Sequence, residues 1–125
     1  MSHRVLVVDD DTDIREVAKV SLQAVAGWEV LTAEGGEEGA AVAAAERPEA
    51  VLLDVMMPDL DGPATLARLR EDEATRDLPV IFLTAKTQDA ETERLKALGA
   101  AGVLAKPFDP MTLHRQVAAS LGWTD

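Results

Sequence analysis

Four carboxylates occupy five positions, Asp9, Asp10, Asp11 and Asp13, directly after the aliphatic run Val5-Leu6-Val7-Val8. At an effective dielectric of about 20, two like charges roughly 4 Å apart repel by about 4 kcal/mol, so oxygens crowded in this way call for a cation among them. Three other aliphatic runs end on residues with chemistry of their own: Asp54 after Val51-Leu52-Leu53, Thr84 after Ile81-Phe82-Leu83, and Lys106 after Val103-Leu104-Ala105. Taken singly these are ordinary, since an acid after a strand often caps the next helix and a Thr or Lys at a strand end usually faces water. Brought to one edge they form three carboxylates, one hydroxyl and one ammonium. That set suits cation binding beside a fixed positive charge.

The elements that position them alternate regularly. Val5 to Val8, Glu29 to Thr32, Ala50 to Leu53, Val80 to Leu83 and Gly102 to Ala105 read as strands. Four are continuously aliphatic or nearly so, as strands are when both faces of a parallel sheet are covered, while Glu29-Val30-Leu31-Thr32 is mixed and suits an edge. Between them run amphipathic segments. Ile14, Val17, Ala18, Ser21, Leu22 and Val25 fall on one helical stripe, with Gly27 as its stop. Glu37 to Glu46 is alanine-rich and ends before Pro48; Pro63 opens a third helix with Leu66 and Leu69 inward. Gln88 to Leu98 has few apolar anchors, Ala90, Leu95 and Leu98, which marks it as the least firmly held helix. Asp109-Pro110 reads as an N-cap and first helical residue, with Leu113, Val117 and Leu121 inward. Five βα units imply an α/β doubly wound, three-layer fold with right-handed crossovers, and a site outside the carboxyl ends of the strands.

Composition narrows the function. The 125 residues fit a single domain, 1–125, with no output domain in the chain. There is no cysteine, so no disulfide, thiol nucleophile or thiolate metal site. Apolar runs are too short for membrane insertion, and a cytoplasmic location is expected. Twelve Lys and Arg stand against 23 Asp and Glu, a formal charge of −11, and aromatic content is 3%. Direct nucleic-acid binding is not expected from such a chain.

The motifs VVDDD (7–11), LLDVMMPDLDG (52–62), LTAK (83–86) and GAAGVLAKPF (99–108) resemble the receiver domain of bacterial two-component response regulators, the family that includes the chemotaxis response regulator. The resemblance spans the chain. It implies a flavodoxin-like (βα)5 fold with a five-stranded parallel sheet in the order 2-1-3-4-5. It implies that Asp54 becomes the aspartylphosphate, that Thr84 donates its hydroxyl to the phosphoryl group, and that Lys106 pairs with it. It places Mg²⁺ on Asp10, Asp54 and the backbone carbonyl of Met56, with Asp9 acting directly or through water; Mn²⁺ is expected to substitute. Mg²⁺ suits such oxygen donors, and an aspartate ionised at neutral pH needs no general base to attack phosphorus. The implied donor is a sensor histidine kinase or a histidine phosphotransfer protein. A downstream protein would read the 85–121 face, and the chain would be a monomer or a weak phosphorylation-dependent dimer. On this reading it is not an enzyme but a signalling domain that assists its own phosphorylation and dephosphorylation.

Several positions qualify the resemblance. Val103 stands where the family commonly has an aromatic ring that turns inward on activation, and it reads as a buried strand residue. Met56 and Lys86 flank the site where the family tunes phosphoryl lifetime, and Lys106-Pro107 matches a step that is cis in the family. His3, near the terminus, and His114, on a surface-type helix, read as surface residues. A calcium loop around Asp59-Leu60-Asp61-Gly62 fails, because its first and twelfth ligand positions would be Met57 and Arg68. A flavodoxin-like cofactor binder lacks a phosphate loop after the first strand. An unphosphorylated pseudo-receiver and a small aspartyl-nucleophile phosphatase remain as alternatives; the phosphatase lacks an acidic residue at Met56.

Overall fold

Each aliphatic run is a strand and each amphipathic segment between them a helix. The computed structural model describes residues 3–85 and 88–123. In chain order the elements are β1 (Arg4–Val8), α1 (Thr12–Ala26), β2 (Glu29–Ala33), α2 (Gly36–Glu46), β3 (Ala50–Asp54), α3 (Gly62–Glu71), β4 (Val80–Thr84), α4 (Asp89–Ala97), β5 (Gly102–Ala105) and α5 (Leu113–Leu121). The strands form one parallel sheet in the order β2-β1-β3-β4-β5, with the mixed strand β2 at an edge as expected. Val8 pairs with Ala33 and Leu53, Asp54 with Leu83, and Thr84 with Ala105, so the strands finish along one edge.

Strand side chains alternate between two apolar layers. Val5, Val7, Leu52, Ile81 and Leu83 pack with Ala18 and Leu22 of α1 and with Leu113 and Val117 of α5. Leu6, Val8, Val51, Leu53 and Phe82 pack with Ala43 of α2, Leu66 and Leu69 of α3, and Leu95 of α4. Fully burying a Leu, Val or Phe contributes about 1.5–3 kcal/mol, which makes these two layers the main stabilising term. No helix among the described residues is long and apolar enough to cross a membrane.

Helix ends follow local chemistry. Asp11 is the N-cap of α1, accepting from the amides of Asp13 at 2.8 Å and Ile14 at 3.4 Å, and Asp13 lies in the first turn. Gly27 closes α1 at φ 74°, a left-handed conformation that glycine adopts without steric cost. Asp61 caps α3 by accepting from Ala64 at 2.8 Å, with Pro63 in the first turn.

Four expectations need correction. Within the α1 stripe, Val17 and Val25 are 41% and 38% exposed, and with Val20, at 58%, they form an outward apolar strip beside Pro110 and Met111. In α4, Ala90 and Leu98 face solvent and Leu95 is the buried anchor, so the stripe is thinner than it reads. Asp109-Pro110 is a turn before α5 and not its start. The Asp109 carbonyl accepts from Thr112 and Leu113 and its carboxylate from Met111 at 2.9 Å, a local bond that competes with helix, while Ser21 of α1 donates to the Pro110 carbonyl.

The fourth correction concerns the histidines. His3 stacks on Trp123 with centroids 3.8 Å apart, meets Trp28 edge-on at 5.3 Å, and bonds Glu49 at 3.1 Å. His114 approaches Trp28 edge-on at 6.4 Å, and its Nδ1 is buried with no hydrogen-bond partner among the described residues. Both tryptophans and both histidines thus share one ring cluster, in which His3 and Trp28 precede β1 and β2 at the sheet edge opposite the strand ends.

Candidate functional site

The carboxyl ends of the strands place the chemistry. Asp9 follows β1 and continues its ladder, its amide donating to Ala33 at 3.2 Å, and its side chain is fully buried. One Asp9 oxygen accepts from the Asp11 amide at 2.9 Å and the other from Lys106 Nζ at 3.1 Å. Asp10 turns to solvent, whereas Asp11 leaves the cluster to cap α1. Asp54 ends β3 at 2% exposure and accepts from Lys106 Nζ at 2.8 Å and from the Met56 amide. Thr84 ends β4, buried, and its carbonyl accepts from the Lys106 amide at 2.9 Å. The Lys106–Pro107 peptide is cis.

All six residues singled out from the sequence, Asp9, Asp10, Asp54, Met56, Thr84 and Lys106, line one cleft of about 250 Å³. A groove of about 650 Å³ between α2 and α3 is larger, but three alanines line it, the Glu37–Arg68 pair bridges it, and the buried hydroxyl of Thr75 in its lining is spent on the Leu69 carbonyl at 2.7 Å. The convergent charged and polar side chains lie in the smaller cleft. Lys86 lies outside the described residues. Val103 is half-buried in β5 and packs against the α2–α3–α4 layer.

The electrostatics are those of a site short of positive charge. Donor oxygens of Asp9, Asp10 and Asp54 lie within 4.8 Å of one another, and Lys106 is the ammonium paired with two of them. Three carboxylates against one ammonium leave a deficit of two positive charges among hard oxygen donors, which fits a divalent cation. Burial, reinforced by the Asp9 charge, pushes the Asp54 carboxyl up to about 6, although Lys106 and the Met56 amide pull it down. At neutral pH it is still largely ionised. Burial works against the Lys106 ammonium, but bonds and charges from Asp54 and Asp9 outweigh it and raise its pKa.

Two supporting roles are not foreseen from the sequence, where Asp59 figures only in the rejected calcium loop. Arg15 donates to the Asp9 carbonyl at 2.7 Å, and Asp59 caps α2 from the loop after β3. A helical Arg facing a site has no distinctive spacing. Asp59 does have a signal: α2 opens on Gly35-Gly36, with no side chain of its own to cap it.

A parallel sheet in this strand order, with an acidic, lysine-bearing cleft at the strand ends, defines a receiver-type α/β domain. A family model for the response regulator receiver domain matches residues 5–118. Over 122 residues the chain is 38% identical to the DNA-binding dual master transcriptional regulator RpaA of Synechocystis sp., covering 98% of this chain and 50% of RpaA. The solved structure of the chemotaxis response regulator CheY4 of Vibrio cholerae gives a TM-score of 0.88 at 35% identity, covering 96% of this chain and 99% of that one. The receiver domain of sensor histidine kinase PA1611 from Pseudomonas aeruginosa, solved with a magnesium ion coordinated in its active-site cleft, gives 0.85 at 29% identity, covering 98% of this chain and 99% of that one. The chain spans about half the length of the curated relatives it matches. It belongs to the response regulator receiver domain family, whose role is phosphorelay signalling. These relatives favour neither the pseudo-receiver nor the phosphatase reading.

Proposed function

We propose that Asp54 is the phosphoacceptor of this receiver and that Asp9, Asp10, Asp54 and the Met56 carbonyl hold Mg²⁺, or Mn²⁺ in its place. One observation carries the reading: Asp54 is a buried, ionised carboxylate held at 2.8 Å by Lys106, in a cleft that brings Asp9, Asp10 and Thr84 to the same spot. An Asp54 oxygen attacks phosphorus, the bond to the donor nitrogen breaks, and an acyl phosphate forms as neutral imidazole leaves. The bound divalent ion supplies neutralisation of the phosphoryl oxygens and of the carboxylate cluster. Lys106 transfers its bond from Asp54 to a phosphoryl oxygen while retaining Asp9, and Thr84 donates its hydroxyl to another. In this way the chain assists the gain and loss of its own phosphoryl group without turning over an external substrate.

The donor is a sensor histidine kinase or a histidine phosphotransfer protein in the cytoplasm. A phosphoryl group brings about −1.5 to −2 charge and three acceptor oxygens, drawing Thr84 and Lys106 inward and repacking the 85–121 face that a downstream protein reads. The weak anchoring of α4 by Leu95 makes it the element that moves, and the chain stays monomeric or dimerises weakly when phosphorylated. Mg²⁺-dependent labelling by a small phosphodonor tests the site. Wild type is labelled once and Asp54→Asn is not; equal labelling of the two removes Asp54 from the mechanism. Unchanged amide exchange over 84–106 with a phosphoryl mimic bound counts against the switch.

A further inference from the structure

α2 starts without a cap of its own. Its N-cap is Gly35, in extended conformation, which has no side chain to accept from the free amides of the first turn. The acceptor comes from another loop. Asp59 accepts from the Gly36 amide through Oδ1 at 3.3 Å and from the Glu37 amide through Oδ2 at 3.1 Å. Both carboxylate oxygens therefore sit on successive amides at a helix N-terminus, where the dipole favours negative charge. The Glu37 amide, then those of neighbouring residues, hold the Asp59 carboxyl below the usual aspartate range.

The two glycines permit this approach. A Cβ at Gly35 would stand 2.8 Å from each Asp59 oxygen, and one at Gly36 would meet Thr65 Oγ1 and lie 2.6 Å from the Leu60 carbonyl. Asp59 belongs to the loop between β3 and α3, which begins in the cleft. The Met56 amide donates to the Asp54 carboxylate, Val55 and Met57 are buried in the core, and the Gly62 amide closes the loop on the Val55 carbonyl at 2.8 Å. The apolar residues fix the loop from below, and Asp59 fixes it from the side.

We infer that Asp59 is a positioning residue for the phosphorylation site: by capping α2 from the β3–α3 loop, it fixes the backbone at Met56 against Asp54 and so sets divalent-ion affinity. The inference rests on the site proposed above. Asp59 does not line the cleft and acts only through the loop it tethers. Groups hydrogen-bonded directly to a metal's ligands typically change affinity by about 10–100-fold when lost, and Asp59, which reaches Met56 only through the loop, belongs at the low end of that range.

The test uses the whole chain and Mg²⁺ titration calorimetry at about 0.15 M salt, where charges beyond a Debye length of about 8 Å are screened. Asp59→Ala is expected to raise the Mg²⁺ Kd about tenfold and to speed amide exchange at Met56 as well as at Gly36 and Glu37. Asp59→Asn keeps one of the two acceptor oxygens without the charge and recovers part of the affinity lost in Asp59→Ala, which a purely electrostatic effect would not allow. Faster exchange at Gly36 and Glu37 with Mg²⁺ Kd and Met56 exchange unchanged overturns the inference. If Asp59→Ala does not fold, Asp59→Asn decides alone: a weaker Mg²⁺ Kd together with faster exchange at Met56 supports the inference, and an unchanged Kd, or a weaker one with Met56 exchange as in wild type, refutes it. Wild type that neither binds Mg²⁺ nor is labelled would refute the site itself, whatever Asp59 does.

Discussion

Replacing Asp54 by asparagine is expected to stabilise the protein at neutral pH without divalent ions and to leave its stability in acid unchanged. Asp54 is 2% exposed, and its carboxyl is pushed from an ordinary 3.8 up to about 6, by burial first and the Asp9 charge next, against the pull of Lys106 and the Met56 amide. At about 1.4 kcal/mol per pH unit, that interval corresponds to about 3 kcal/mol disfavouring the charged form in the folded state. The folded protein holds this proton more tightly than the unfolded chain does. The associated stability is therefore fully present below about pH 4 and is lost as pH rises through about 6.

Asparagine stays neutral throughout and suffers no such loss. It also leaves Lys106 its bond to Asp9 at 3.1 Å, so no ammonium is stranded. Urea unfolding in EDTA, followed by tryptophan fluorescence from the ring cluster, gives the difference. The variant should match wild type near pH 4 and exceed it by about 3 kcal/mol above about pH 7, with equal m-values. Added Mg²⁺ should stabilise wild type by mass action and narrow the gap, because the variant lacks one of the proposed ligands. Equal stability at neutral pH in EDTA, or a less stable variant, would refute the account of Asp54 as a carboxylate held at electrostatic cost.

Lys106→Met removes the ammonium 3.1 Å from Asp9 and 2.8 Å from Asp54. Breaking a buried pair in this way costs about 3–5 kcal/mol, read by denaturant unfolding at neutral pH, and phosphodonor labelling falls with it. Gly36→Ala forces a Cβ against Thr65 and the Leu60 carbonyl, and calorimetry should show a loss of about 1–3 kcal/mol. Leu95→Ala removes the buried anchor of α4 and should speed amide exchange in α4 well beyond that in α1; a large-to-small change at a buried leucine costs about 2–5 kcal/mol when the whole fold feels it.

The strands were legible because both faces of the sheet are covered, which leaves runs such as Val80 to Leu83 no polar alternation to confuse them. Residues at the ends of those runs were legible for the same reason, so the sequence alone puts Asp9, Asp54, Thr84 and Lys106 at strand ends. Helical periodicity carried less. It locates an apolar side on α1 but not how much of that side the sheet covers. Val17, Val20 and Val25 stay outside while Ala18, Ser21 and Leu22 are buried. Asp109-Pro110 misled because the same residue types cap helices and close turns, and the Asp109 carboxylate chose the Met111 amide. The contacts of His3 with Trp123 and of Asp59 with Gly36 join distant parts of the chain and leave no local periodicity to read.

The crowding of acids along one edge has a common physical origin. In a parallel βα sheet every helix begins where a strand has just ended, so the amide-rich, electropositive helix starts gather on the edge where the strands finish. Aspartates there have two ways to be stabilised, by free amides or by cations, and residue type alone does not distinguish them. Burial and partners do. Asp11 and Asp61 are exposed and bond the first amides of their own helices, and Asp59 is exposed and bonds those of α2. Asp9 and Asp54 are buried, share Lys106, and with Asp10 keep oxygens facing one another within 4.8 Å. A carboxylate that could have been satisfied by amides at the surface is here held in the interior beside two others, an electrostatic cost of the kind that proteins keep at functional sites and that the divalent ion and phosphoryl transfer proposed above would put to use.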